Sequence, residues 1–165
     1  MFGKRWEKHI KRIRRISVSS QSCEQFISNR VGKSDIHISS RITPEYISKL
    51  QPDEVLVFGS NARGMHYGGA VAFAVKRFGA IMGQGEGLQG QSYAIPTMEG
   101  MENMRAAMDK FVAFAQEPPE LIFFVTPIGC GIAGYTPEDM APLFAEAKTL
   151  NNVHLLESFW KCITE

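Results

Sequence analysis

Two glycine-rich segments follow short apolar runs, and both could bind an anion through the main chain. The first begins with Gly59, Ser60 and Asn61 after the run EVLVF, and the second, PIGCGIAG, follows the run LIFFVT. Glycines allow main-chain N–H groups to point inward at a phosphate, and a helix N-terminus adds a positive dipole. The pattern therefore predicts a phosphate-binding site that needs no lysine.

The predicted ligand-binding residues belong to these two segments and to the helix start that follows the first. They are Gly59, Ser60, Asn61, Gly68, Gly69, Ala70, Ile128, Gly129, Cys130, Gly131, Ile132, Ala133, Gly134 and Tyr135. Neither segment fits G-x-x-x-x-G-K-[ST], and no G-x-G-x-x-G directly follows a strand. Walker-type NTPases and dinucleotide dehydrogenases therefore lose their usual support. Tight turns that hold no ligand are the alternative.

Two side chains in the glycine-rich loops, Glu86 and His66, are candidates for catalysis, and a third, Cys130, is considered as a nucleophile. Glu86, in a third glycine segment at residues 83–90, could activate water or bind a ribose hydroxyl, and His66 could carry a proton. Solvated turn residues are the alternative for both. Cys130 lies among backbone donors near a helix start, which predicts a lowered thiol pKa. No histidine is paired with it in the sequence, so a small packed residue is preferred to a nucleophile.

Three stretches of the chain carry a resemblance to a known family. VFGSNARGMHYGGAVAFAVKRFGA, GLQGQSYAIPT and FFVTPIGCGIAGYTPEDMAPLFAEA resemble the macrodomain superfamily. The likeness covers about residues 54–156 and is nearest to the compact deacylase-like branch, and to bacterial and phage proteins that share the FGSN and IGCGIAGY motifs. It implies a macrodomain-like fold that binds ADP-ribose.

The resemblance also implies roles for individual residues. Asn61 matches the residue that meets the distal ribose, with Gly68, Gly69 and Ala70 beside it. Residues 129–135 match the diphosphate loop, with Tyr135 toward the distal ribose. The family's adenine-contacting residue, which lies in an Asp-containing stretch before the asparagine strand, has no clear counterpart here, and the aspartate of the deacylase branch corresponds to Ala133. The expected function is ADP-ribose or nucleotide diphosphate binding; a glycosidic or ester hydrolase, or an interaction module without a ligand, are the alternatives.

Composition limits the class of protein. The 165 residues are 44% hydrophobic and 21% charged, which predicts one globular domain with a sizeable core. Three cysteines without a CxxC favour a reducing, cytoplasmic setting, with neither a disulfide framework nor a cysteine-based zinc site. We expect no metal and no cofactor. No apolar run reaches the roughly 18 residues of a membrane span.

Charge is unevenly distributed along the chain. The first 16 residues hold seven basic side chains and one acidic one, and the remaining residues carry a net charge of −5. Nucleic acid is therefore a disfavoured partner for the core, while the basic start could contact a polyanion weakly. We divide the chain into an extension, residues 1–35, and an α/β domain, residues 36–165.

Binding of one phosphate-bearing ligand by both glycine-rich segments requires strands and helices that place the two segments at the same edge of a sheet. Patterning predicts strands at residues 36–39, 54–58, 92–95, 121–126 and 153–156, and helices at residues 43–50, 69–78, 101–116 and 136–150, with a loop at residues 79–91. Residues 54–58 and 121–126 are near-continuous apolar runs, as in strands buried on both faces. The prediction is a three-layer α/β/α sandwich with a mixed, mostly parallel sheet, in which residues 55–58 and 121–125 are central neighbours.

Overall fold

The computed structural model describes residues 41–164. The predicted extension, its basic start and the strand at residues 36–39 lie outside the described residues. The elements in chain order are β1 (Glu54–Ser60), α1 (Gly69–Phe78), β2 (Gly87–Gln89), β3 (Ser92–Pro96), α2 (Met101–Gln116), β4 (Ile122–Val125), α3 (Pro137–Met140), two 3₁₀ turns (Ala141–Phe144 and Glu146–Thr149), β5 (Val153–His154) and α4 (Glu157–Thr164).

The five strands form one mixed sheet in the order β2-β3-β1-β4-β5. Only β2 is antiparallel to its neighbour, and the other pairs are parallel. Val55 of β1 is opposite Phe123 of β4, so the two apolar runs are neighbours, with β1 in the centre. This confirms the prediction of an α/β fold with a mostly parallel mixed sheet.

Helices α1 and α2 pack against two different sets of strand side chains, which alternate along each strand. Helix α1 joins a buried cluster with Leu56 and Phe58 of β1. Helix α2 places Phe111 against Tyr93 and Phe123, with ring centroids 5.1 and 5.5 Å apart. Successive side chains of a strand point to opposite faces, which explains why β1 is apolar at every position from 55 to 58. The α2 residues expected to face inward, Met104, Met108, Phe111 and Ala115, are all buried.

The helix predicted at residues 43–50 is wrong. Thr43, expected as its N-cap, instead donates its hydroxyl to the His154 carbonyl at 2.9 Å and its N–H to the Leu155 carbonyl at 2.9 Å. Ile42 forms an isolated parallel bridge with Leu155. The Thr43 hydroxyl, which would cap a helix, instead forms a hydrogen bond that holds residues 41–43 beside β5.

The helix predicted at residues 136–150 begins correctly but does not continue as an α-helix. Thr136 and Asp139 form a reciprocal capping box, yet α3 ends at Met140 and 3₁₀ turns follow. Pro142 has no N–H to donate to the preceding turn, which interrupts the α-helical ladder. Strand β2, within the predicted loop at residues 79–91, and helix α4 were not predicted.

Within residues 41–164 no helix has the length and apolar character that a membrane crossing requires.

Candidate functional site

The carboxyl ends of β3, β1 and β4 meet at one edge of the sheet, where the predicted loops emerge. A Cβ atom on Gly59 would lie 3.4 Å from the Thr97 hydroxyl oxygen and 3.7 Å from the Gly129 nitrogen. The carboxyl end of β1 is therefore enclosed by the segments that follow its two neighbouring strands. In open α/β sheets ligands bind outside the carboxyl ends of the strands, so this edge is the candidate site.

The loop at residues 127–135 satisfies only part of its own hydrogen-bonding capacity. The N–H groups of Cys130, Gly134 and Tyr135 donate to carbonyls of Pro127, Gly131 and Gly129 within the loop. Four other N–H groups have no acceptor among residues 41–164, and they belong to Gly129, Gly131, Ile132 and Ala133. Backbone donors normally find a partner, so these four are available to a ligand or to water.

The shape of this loop is fixed at Gly129. Its φ is +75°, and a Cβ there would lie 2.6 Å from the sulfur of the buried Met140. Any side chain at this position would have to adopt a left-handed conformation and displace Met140. Gly131 differs, because its φ is not in the left-handed region and a Cβ would meet nothing within 4 Å. Gly129 therefore holds the loop, while Gly131 is open to an approaching ligand.

The side chains of the loop at residues 127–135 differ in how accessible they are to a ligand. Ile128 is 1% exposed and belongs to the core, so only its main chain could meet a ligand. Ile132 is 94% exposed. Tyr135 is half-buried, and its N–H is already donated to Gly129.

Asn61 shapes the loop that follows β1. Its side-chain nitrogen donates to the Met65 carbonyl and its side-chain oxygen accepts the Met65 N–H, both at 3.1 Å. Ser60 is buried, and its carbonyl accepts two hydrogen bonds from Thr97, at 2.9 and 3.1 Å. Asn61 thus has a local structural role, and its role as a ribose contact stays a prediction.

The helix dipole is available at α1 rather than after β4. Gly68 caps the ten-residue helix α1 without a side-chain hydrogen bond, and the first turn contains no acidic residue. Helix α3 has only four residues, and the Asp139 carboxylate accepts the N–H of Thr136 at 2.9 Å. The predicted dipole contribution after β4 is therefore offset by a carboxylate of the chain itself.

Glu99 lies at the same edge and was missed by the sequence analysis. One carboxylate oxygen accepts the Ala62 N–H at 2.6 Å, and the other accepts the Met98 N–H at 3.2 Å. The side chain therefore joins the segment after β3 to the loop after β1. The available signal was an acid shortly after the Pro96 that stops a strand, which is weak without knowledge that β3 lies beside β1.

Glu86 lies just before the edge strand β2, at the far side of the sheet from β4. It forms an ion pair with Lys110 of α2, with the Lys110 nitrogen 3.0 Å from one carboxylate oxygen. Strands β3 and β1 lie between β2 and β4 in the sheet. Glu86 is therefore not brought together with residues 127–135.

The third glycine segment supports the loop after β1. The Gly83 N–H donates to the Gly64 carbonyl at 2.9 Å, and a Cβ on Gly85 would overlap the Asn61 carbonyl oxygen. Its glycines thus permit close approach of two backbones.

His66 is buried beneath the loop after β1, so a solvated loop histidine is the wrong interpretation. It is 3% exposed, its ring lies edge-on to Phe58 at 5.4 Å between centroids, and its Nε2 is 3.1 Å from the Gln84 carbonyl. The Nδ1 atom is buried and has no hydrogen-bond partner among residues 41–164.

The electrostatic prediction for Cys130 is also wrong. Burial raises the pKa of the Cys130 thiol, and the carboxylates of Glu138 and Asp139 raise it further. Backbone donors and a helix start were expected to lower it, but two acidic side chains of that helix start lie close enough to oppose the thiolate. Its preferred interpretation as a packed residue agrees with the 3.6 Å contact from its sulfur to the Ile128 carbonyl.

Exposed apolar side chains occur in all three loops of this edge. Met65 and Tyr67 follow β1, Met98 follows β3 and Ile132 follows β4, with exposed fractions of 43%, 75%, 51% and 94%. Among residues 41–164 no three His, Cys, Asp or Glu side chains are grouped so that they could hold a metal ion. The edge thus offers main-chain donors, the carboxylate of Glu99 and apolar surface.

No protein-family model, curated protein sequence or solved structure matches this chain.

Proposed function

We propose that the chain binds ADP-ribose or a related nucleotide diphosphate, with the diphosphate on the N–H groups of Gly129, Gly131, Ile132 and Ala133. The observation that carries this proposal is that these four donors lack an acceptor among residues 41–164, while their neighbours in the loop are satisfied. Successive backbone donors in a glycine-rich turn form a concavity that suits an anion.

Three further observations support the proposal. The uncapped N-terminus of α1 presents a positive dipole end after β1, at Gly68, Gly69 and Ala70. The exposed Tyr67 and Ile132 supply apolar surface of the kind a nucleobase contacts. The macrodomain resemblance assigns residues 129–135 to the diphosphate, and the packing of α1 and α2 on strand residues of opposite parity favours its three-layer arrangement.

Hydrolysis is the less favoured alternative. Of the two proposed catalytic residues, Glu86 is paired with Lys110 and His66 is buried. Ala133 also stands where the deacylase branch has its aspartate. A product assay on an ADP-ribosylated peptide would still detect turnover, and its loss in Glu86→Gln would support that alternative.

The decisive test is calorimetry of ADP-ribose binding to the parent protein and to Gly131→Val. A valine has space at this position and needs no left-handed φ, so the variant should fold. Its branched side chain would block the anion from the main-chain donors. Hydrogen bonds to a charged group contribute about 1.5–3 kcal/mol each, so we expect affinity to fall at least about tenfold.

Cys130→Ala is the matched control within the same loop. It removes a thiol whose sulfur lies 3.6 Å from the Ile128 carbonyl, and it leaves the main-chain donors of the loop in place, so binding should be retained. Undiminished affinity in Gly131→Val, with an unchanged melting temperature, would contradict the proposed cradle. A folded Cys130→Ala that lost a measured turnover would identify the thiol as a nucleophile. Absence of binding to any nucleotide would favour an interaction module.

A further inference from the structure

We infer that Glu99 sets the ligand selectivity of the proposed site, by accepting hydroxyl groups of a sugar and rejecting a further phosphate. The inference rests on the proposed function, because it concerns the part of the ligand next to the diphosphate. It adds a specificity-determining side chain from the segment after β3, which the sequence motifs did not indicate.

The Glu99 carboxylate is held in place by the main chain. Its two oxygens accept N–H groups from Ala62 and Met98, at 2.6 and 3.2 Å. The side chain is half-buried, so part of the carboxylate faces solvent. A carboxylate has about four lone-pair sites, and the two hydrogen bonds leave about two of them for other donors. Ribose hydroxyls are donors of that kind.

The same hydrogen bond removes a donor that an anion would need. The Ala62 N–H, directly after Asn61, is already used by Glu99. A phosphate placed there would find an occupied donor and a negative charge. The ends of β1 and β3 therefore favour neutral hydroxyl groups, whereas the loop after β4 offers N–H groups to an anion.

The Glu99 carboxylate and the N–H groups of the loop after β4 are close enough for one ligand to contact both. Thr97, two residues before Glu99, bonds to the Ser60 carbonyl, and Gly59 is enclosed between Thr97 and Gly129. Strand β1 alone separates β3 from β4, and neighbouring strands lie about 4.8 Å apart. A diphosphate on residues 129–133 would consequently place an attached sugar near Glu99 and a third phosphate against its charge.

The experiment compares three ligands by calorimetry with the full-length chain: ADP-ribose, ADP and ATP. The variant is Glu99→Gln, whose side-chain oxygen can still accept the Ala62 N–H. We expect it to weaken ADP-ribose binding about tenfold, because a site built to accept hydroxyls loses a charged acceptor. The affinity for ADP should change less than about twofold, and the affinity for ATP should rise.

Glu102→Gln is the charge-matched control. It removes a carboxylate from an exposed position three residues further on, in the first turn of α2. We expect it to leave all three affinities unchanged. If Glu99→Gln does not fold, as judged by thermal unfolding, Glu99→Ala replaces it with the same expected pattern of affinities.

The outcomes separate this inference from the proposed function. Equal effects of Glu99→Gln and Glu102→Gln on all three ligands would overturn the role of Glu99 while leaving diphosphate binding intact. Loss of ADP and ADP-ribose affinity to the same extent would show that Glu99 only supports the loop, and would also overturn it. A parent protein that binds none of the three ligands would overturn both.

Discussion

The thiol of Cys130 is a side chain whose environment opposes ionisation. Burial and the carboxylates of Glu138 and Asp139 raise its pKa, so less thiolate is present at neutral pH than in an exposed cysteine, whose pKa is about 8.5. The thiolate is the form that reacts with alkylating reagents. Alkylation of Cys130 should therefore be slow at neutral pH and should rise with pH beyond the range of an ordinary cysteine.

Glu138→Gln should accelerate alkylation of Cys130 by about twofold to threefold at pH 8, because it removes one of the charges that disfavour the thiolate. Glu138 is exposed, whereas Asp139 is required for the capping box with Thr136. The rate would be followed on the Cys130 peptide by mass spectrometry. Glu146→Gln, which removes an exposed charge elsewhere, serves as the control. An unchanged rate in Glu138→Gln would contradict a contribution of the Glu138 carboxylate to the thiol pKa.

Features of the site could be predicted from the sequence where they depend only on the main chain of their own segment. The glycine pattern around Gly129 and Gly131 predicted N–H groups that face a ligand, and four N–H groups of that loop have no acceptor among residues 41–164. Their binding of an anion stays a prediction. Glu99 and His66 could not be placed in the same way. Their surroundings come from segments distant in the sequence: Ala62 for Glu99, and Gln84 for His66.

Among the elements, β5 and α4 are both bonded to the segment at residues 41–43. Arg41 is 6% exposed and donates to the Lys148 and Leu150 carbonyls, at 3.3 and 2.6 Å. Its guanidinium carbon lies 4.7 Å from the centroid of the Trp160 ring, and the Trp160 indole N–H donates to the Arg41 carbonyl at 2.8 Å. One residue thus contacts the end of the second 3₁₀ turn and helix α4.

Arg41→Met should lower the free energy of unfolding by about 2–4 kcal/mol, because hydrogen bonds to a charged group and a cation–π contact are lost. The carbonyls of Lys148 and Leu150 would also lose a donor. Urea unfolding would measure the change. Lys49→Met removes an exposed cation from the neighbouring segment and should change stability by no more than about 0.5 kcal/mol. Similar losses in the two variants would contradict the anchoring role of Arg41.

The accuracy of element prediction depended on whether local pattern or tertiary contact decides the conformation. Helices α1 and α2 have the predicted bounds, since their apolar periodicity and terminal glycines or prolines act within the element. Residues 43–50 carry the same kind of helix-start signal, but Thr43 bonds to β5. Helix α4 was missed although Phe159 and Trp160 are buried in it, because an eight-residue segment at a chain end gives little periodicity.

At the scale of the whole molecule, the described part of the chain is acidic. Residues 41–164 contain nine basic and thirteen acidic side chains, a net charge of −4. The loops of the candidate site contain Arg63, which is exposed, together with the carboxylate of Glu99, and Glu138 and Asp139 follow the loop after β4. The proposed anion site therefore depends on neutral main-chain donors and not on a field of positive charge.

This arrangement predicts a weak dependence of ligand affinity on salt. Ion pairs between exposed groups are screened over a Debye length of about 10 Å at 0.1 M salt and about 3 Å at 1 M, whereas short hydrogen bonds from backbone N–H groups are screened far less. The dissociation constant for ADP-ribose should change by less than about threefold between about 50 and 500 mM NaCl. Screening of Glu99, Glu138 and Asp139 could even strengthen binding slightly as salt rises.

Calorimetry across this salt series, repeated with Arg63→Ala, tests the argument. Arg63 is the basic side chain in the loop after β1, so it is the residue most able to pair with a phosphate if the main-chain donors do not. We expect Arg63→Ala to reduce affinity by no more than about threefold and to leave the shallow salt dependence unchanged. A steep loss of affinity with salt that disappears in Arg63→Ala would place the phosphate on that guanidinium. The main chain of residues 129–133 would then not be the principal anion site, because its N–H groups are neutral and binding to them should depend little on salt.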